Sequence, residues 1–286
     1  MPYIYAMGAV LCWASLPAAI GSGLTGLSVP ALMAVSFTSA AIFLYARDIL
    51  ATRSFRIFVP KILPSLLGVW GIFLYHFLYY KTMDLAPMAE GTILATTWSF
   101  WIVVFSSVIT FKRLRPAIFI TACIGLLGAG MVIASGKSIS FSSGHMVGYG
   151  FALLCGLIWS SFSVTLPLMK LDKDPMTAYT IYAAVISLCI FLMSGDTTLP
   201  GRTALLSAVY LGCVPLGLSF FFWNRALNTG NVTIIGYLTY LTPPLAVLMV
   251  SLIHGEQVSA QVLSGMGVII GAALLGKFFL KDPANA

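Results

Sequence analysis

The chain has 286 residues, 59% of them hydrophobic and 8% charged, with a net charge of +7 and a mean hydropathy of +0.99. A soluble domain carries about 25% charged residues, so this chain could not cover its surface with groups that water solvates. Apolar runs long enough to span a bilayer recur along its whole length, which makes it an integral membrane protein and removes nucleic acid as the meaning of the positive charge.

Ten apolar segments follow one another: 3–20, 29–46, 62–80, 91–111, 117–135, 146–168, 176–193, 203–224, 232–251 and 259–280. Each is near the roughly 20 residues a helix needs to cross. The first, "YIYAMGAVLCWASLPAAIG", has no positive n-region ahead of it and reads as a spanning helix rather than a secretory signal. It carries Trp13 well inside, where a belt tryptophan would not sit, and an interior indole N–H needs a partner or a cavity. Interhelical packing is the competing reading.

The third segment ends in "YHFLYYKTMDLAP" (75–87). Tyr75 and Tyr79 are four apart and share a helix face, with His76 beside it. An aromatic belt at the outer interface is one reading, and the lining of an exit route is the other. A histidine facing lipid is costly, which turns His76 toward the bundle interior. The fourth segment offers "TTWSFW" (96–101), where Trp98 and Trp101 are three apart and one of them is expected at a cavity. Glu90 stands at its start and, with His76, is a candidate for proton coupling.

The sixth segment holds Trp159 with Ser160, Ser161 and Ser163, and the eighth ends in "SFFFWNRALN" (219–228), where Trp223, Asn224 and Arg225 read as an interface anchor. In the ninth, "GYLTYLTPP" (236–244), Pro243 and Pro244 bring no N–H to the carbonyls of Thr239 and Tyr240. Inside lipid those carbonyls need another donor: a substrate ammonium, Thr242 or water. Tyr237 and Tyr240 could frame the same spot, although a simple kink would also account for the prolines.

Links after the even segments carry twelve Lys and Arg, and the other side carries Lys81, Lys137 and Arg202. The positive-inside rule then puts both termini in the cytoplasm. The expected class is an all-α membrane protein, since a barrel would alternate in segments of about ten. "LCWAS" (11–15) pairs with "LIWSS" (157–161), and "HFLYYKTMDL" with "SFFFWNRALN" at an offset near 143. This predicts two five-helix repeats, 1–136 and 145–281. Five is odd, so the second enters inverted, with a binding site near the midplane between halves.

"LTPPLAVLMVSLIHGEQVSAQVLSGMGVIIGAALL" (241–275) resembles the last two helices of an EamA-type domain, with its early proline, Glu256 in a short outer link and glycine-spaced packing. "YYKTMDLAPMAEGTILATTWSFW" (79–101) resembles the matching part of a first repeat. The whole chain is similar to ten-helix members of the drug/metabolite transporter superfamily, close to the YddG-type aromatic amino acid exporters of bacterial inner membranes. The halves are not equivalent: Phe100 stands where the second has Pro243, and Arg113 where it has Glu256. The resemblance implies that Trp13 and Trp159 line a pocket, that the protein works by alternating access, and that the location is the bacterial inner membrane.

All eight carboxylates fall at or near segment ends. A proton-coupled antiporter of organic cations needs one inside the membrane. No DDxxD-like metal cluster or nucleophile with its base is found, so an enzyme is not expected. The five cysteines lie inside apolar runs without a CxxC, so neither metal nor disulfide is expected. Asp172 and Asp174 read as a solvated turn. No cofactor is predicted, and a monomer is favoured. Tryptophans, tyrosines and hydroxyls without fixed charge suit a neutral aromatic ligand. A zwitterion fits, whereas a nucleotide sugar would want buried Lys or Arg. The expected function is export of aromatic and other neutral amino acids by alternating access, for which a facilitator driven by the substrate gradient fits at least as well as proton coupling. The alternative is export of another neutral metabolite, a purine or a drug-like amine. The expected substrate-binding residues are Trp13, Tyr75, His76, Tyr79, Trp98, Trp101, Trp159, Ser163, Tyr237, Tyr240, Thr242 and Pro243.

Overall fold

A computed structural model describes residues 1–135, 139–197, 199–254 and 258–280, and within 250–254 the backbone alone. Glu256 and Lys137 lie outside the described residues. The described elements are all helical. Ten helices are long and apolar enough to cross a membrane: α1 (Pro2–Leu24), α2 (Val29–Thr52), α3 (Ile62–Leu85), α4 (Met88–Phe111), α5 (Pro116–Ala134), α6 (Ser143–Met169), α7 (Met176–Met193), α8 (Arg202–Thr229), α9 (Val232–Met249) and α10 (Ala260–Phe279). At 1.5 Å per residue, these lengths match a hydrocarbon core of about 30 Å. The ends differ from expectation by a few residues. The largest difference is in α2, which runs on to Thr52 instead of ending at 46, and α8 runs on to Thr229 instead of ending at 224.

Side-chain caps set several starts. Ser28 accepts from the Ala31 N–H at α2, Asn231 from Thr233 and Ile234 at α9, and Ser259 from Val262 at α10. Three helices close on a basic residue in the left-handed conformation: Arg53 after α2, Lys112 after α4 and Lys170 after α6. Asp174 is not the solvated residue of the sequence reading. Its carboxylate accepts from the Met176 N–H at 3.0 Å and from Arg47 Nη1 at 3.2 Å. Arg47 also pairs with Asp48 and lies 4.3 Å from the centre of the Phe221 ring. This network ties α2, α7 and α8 together at the Lys/Arg-rich end.

Five helices are interrupted within the membrane. α1 breaks at Ser15, α4 at Thr96 and α9 at Tyr240–Leu241. α3 and α8 contain π-helical segments, Val69–Leu74 and Gly212–Leu218, the second holding Pro215. These π segments, and likewise the breaks in α4 and α9, sit at corresponding places at the offset near 143. A π segment releases backbone carbonyls from the regular ladder, and in lipid each must find another donor.

Two apolar cores result. The larger joins α1, α2, α3, α6, α7, α8 and the middle of α4. The smaller joins the rest of α4 with α5, α9 and α10. Close helix approach relies on glycine. A Cβ on Gly71 of α3 would stand 2.1 Å from the Phe162 ring, and one on Gly265 of α10 would stand 2.9 Å from the Gly128 carbonyl of α5.

Candidate functional site

A cavity of about 540 Å³ lies among α1, α3, α4, α5, α6, α9 and α10. Its mouth is formed at helix ends by Met88, Ser135 and Ser259, on the side away from the Lys/Arg-rich links. The hydroxyls of Ser135 and Ser259 are 2.5 Å apart there. Its floor is formed mid-helix by Trp13, Trp98 and Trp159. The interruptions explain the position of the wall. Pro17 follows the break in α1, Thr96 marks the break in α4, and Thr242 and Pro243 follow the break in α9, and all four line the cavity.

The floor is a cluster of indoles in mainly edge-to-face contact. Trp13 lies 5.7 Å from Trp98 and 5.4 Å from Trp159, near perpendicular to both. Such offset geometries favour aromatic pairs beyond the area they bury. Trp13 Nε1–H donates to the Pro215 carbonyl of the α8 π segment at 3.1 Å. Ser219 Oγ donates to the same carbonyl. Among the described residues, the indole N–H groups of Trp98 and Trp159 have no hydrogen-bond partner.

His76 repeats the arrangement in α3. Its Nδ1 lies 2.7 Å from the carbonyl of Ile72, inside the π segment. A carbonyl can only accept, so Nδ1 carries the proton and Nε2 is the ring's remaining polar atom. The ring is packed edge-on by Phe37 and Phe220, each 5.5 Å away, and by Tyr75 at 4.7 Å. Tyr75 and Tyr79 stack on each other at 5.8 Å. No Asp, Glu, Lys or Arg lines the cavity among the described residues. Its polar groups are hydroxyls, the indoles, two phenols and one imidazole.

Of the residues expected from sequence, Trp13, Tyr75, His76, Tyr79, Trp98, Trp159, Thr242 and Pro243 line this cavity. Four do not. Trp101 packs against Phe100 and Phe105 in the smaller core. Ser163 lies one turn beyond Trp159 and accepts from the Trp223 indole at 3.2 Å. Tyr237 turns to α5, where its hydroxyl pairs with Thr121 at 2.5 Å. Tyr240 also turns to α5 and donates to the Ala122 carbonyl at 2.8 Å. The break at Tyr240–Leu241 separates these tyrosines from Thr242. The Thr239 carbonyl freed by Pro243 is met from within the chain, by Thr242 Oγ1 at 2.7 Å.

Glu90 is buried off the cavity wall and accepts from the Ser140 N–H at 3.1 Å, pinning the link ahead of α6. Trp223 is not an interface anchor. It is fully buried beneath the floor, because α8 continues past it by more than a turn. The sequence reading missed Thr92, Ser135 and Ser259. Thr92 was findable, since it stands four residues before Thr96 on one face of α4.

The chain matches the EamA-like transporter family over residues 1–134 and 146–276. It is 28% identical to "Aromatic amino acid exporter YddG" of Ancylobacter novellus over 276 residues, covering 96% of each chain. It is 25% identical to "Probable terminal-alkyne amino-acid exporter" of Streptantibioticus cattleyicolor, covering 93% of this chain and 90% of that one. A solved crystal structure of a protein superposes with a TM-score of 0.86 at 26% identity, covering 97% of this chain and 96% of the other. Family match, exporter-named relatives and ten spans agree: the chain belongs to the EamA-like transporter family and is a multi-pass membrane transporter rather than an enzyme.

Proposed function

We propose that the protein exports aromatic and other neutral amino acids across the bacterial inner membrane by alternating access. The observation that carries this reading is the uncharged aromatic wall, formed by three tryptophans, two tyrosines and one histidine without an opposing ion. Ring faces attract both an aromatic side chain and an ammonium. The Trp98 and Trp159 N–H groups and the Tyr75 and Tyr79 hydroxyls supply donors for a carboxylate. His76 Nε2 and the hydroxyls of Thr96 and Thr242 supply acceptors for the ammonium. Similarity to two proteins named as amino-acid exporters supports the substrate class.

The two halves, 1–136 and 145–281, act as inverted repeats in this reading, and their matched interruptions support it. Lysine and arginine placement supports cytoplasmic termini, which makes the described cavity outward-facing. With no carboxylate on the described wall, substrate concentration alone drives the flux, and the protein is a facilitator.

The test is uptake of labelled phenylalanine into proteoliposomes, with and without an imposed pH gradient. Saturable uptake indifferent to the gradient is expected. Uptake that follows the gradient would overturn the facilitator reading and direct attention to His76 and Glu90. Folded protein that takes up a purine or a hydrophobic amine, but no amino acid, would overturn the substrate reading.

A further inference from the structure

The tryptophan floor has a second tier. Trp223 does not line the cavity and is fully buried. Its ring lies 5.0 Å from Trp13, 6.3 Å from Trp159 at an interplanar angle of 24°, and 6.4 Å from Trp98. One ring therefore backs all three floor residues. It is also tethered, since its indole N–H donates to Ser163 Oγ at 3.2 Å, and Ser163 is fully buried. The same helix holds Trp13 through the Pro215 carbonyl. α8 thus fixes the floor at two points, while among the described residues Trp98 and Trp159 are held by packing alone.

A close-packed backing ring limits how far the floor can retreat. Removing the Trp223 side chain would leave an apolar void on the order of 150 Å³, the size that admits a benzene ring. Resting on the amino-acid reading above, we infer that Trp223, held by Ser163, is a positioning residue. It sets the depth of the cavity and so the largest side chain the transporter accepts. It touches the floor and not the substrate, so its effect falls on discrimination between substrates rather than on one substrate alone.

The experiment measures kcat/KM for tryptophan, phenylalanine and alanine in proteoliposomes of wild type, W223F, S163A and S163T. A pocket wall that gains or loses a small group changes discrimination about tenfold. W223F is expected to raise the tryptophan-to-alanine ratio about tenfold. S163A, which frees the tether but keeps the ring, moves the ratio the same way by less. S163T, which keeps a hydroxyl, holds the wild-type ratio. A merely structural Trp223 would lower all three substrates in step and leave the ratios fixed, and that result overturns the inference. If wild type moves none of the three, the amino-acid reading falls and the depth inference falls with it. If wild type moves them and the ratios stay flat across variants, only the depth inference falls.

Discussion

Trp13 and Pro215 stand 202 residues apart in the chain, and the indole N–H of the first meets the main-chain carbonyl of the second at 3.1 Å in a buried site. The bond joins the first half of the protein to the second at the floor of the cavity. It uses a carbonyl that lies inside a π segment. Trp13→Phe keeps a ring but removes the donor, leaving that carbonyl to Ser219 alone. The expected cost is about 1 kcal/mol, because the acceptor retains one partner. A lowered Tm of the solubilised protein checks this, and an unchanged Tm would mean that the bond contributes nothing.

Trp159 and Tyr237 separate binding from packing. Trp159→Phe removes the indole N–H of a cavity-lining residue that has no hydrogen-bond acceptor among the described residues. If it meets a carboxylate, KM for phenylalanine rises about tenfold, the scale of one hydrogen bond to a charged group. Tyr237→Phe removes a hydroxyl committed to Thr121 and Ile118 of α5. It is expected to lower Tm and leave KM within about twofold. Both constants come from the same uptake assay, and a reversed pattern would move the site toward α5.

Two glycines of α10, two residues apart, test the packing. A methyl group on Gly265 would meet Val132 at 2.7 Å and the Gly128 carbonyl at 2.9 Å, while nothing lies within 4 Å of one on Gly267. Gly265→Ala is expected to cost about 1–3 kcal/mol by overpacking. Gly267→Ala is expected to be neutral, or to stabilise slightly through helix propensity. Thermal unfolding of the two variants side by side decides it.

Asp174 gives a pH signature outside the membrane. Burial raises its carboxyl above the ordinary 3.8, against the lowering pull of the Met176 N–H and of Arg47. The folded protein therefore holds that proton more firmly than the unfolded chain. Between the ordinary value and the raised one, stability contributed by this group increases as pH falls. Asp174→Asn removes the titration. The Tm of wild type minus that of the variant should rise as pH is lowered from about 7 toward about 4. A difference flat across that range would contradict the assignment.

The spans were legible because a helix in lipid needs about 20 apolar residues and little else. The mid-span tryptophans were legible for a related reason: an indole N–H inside the bilayer demands a partner, and Trp13 has one. Trp223 was not, because a tryptophan two residues before an arginine near a segment end looks like a belt residue. Only the continuation of α8 to Thr229 places it inside. Tyr237 and Tyr240 misled because their spacing says that they share a side, not which side. The break after them turns Thr242 to the cavity and leaves the tyrosines on α5. Asp174 misled because a short link rich in charge gives no sign that Arg47, far away in sequence, folds onto it.

Four of the chain's six tryptophans meet in the floor cluster, with Trp101 and Trp70 elsewhere. Most of the indole chromophores of this protein therefore sit at the cavity floor. Indoles held 5.0 to 6.4 Å from Trp223 respond together when one of them moves. An unlabelled sample thus carries its own optical probe, seated where a ligand would arrive.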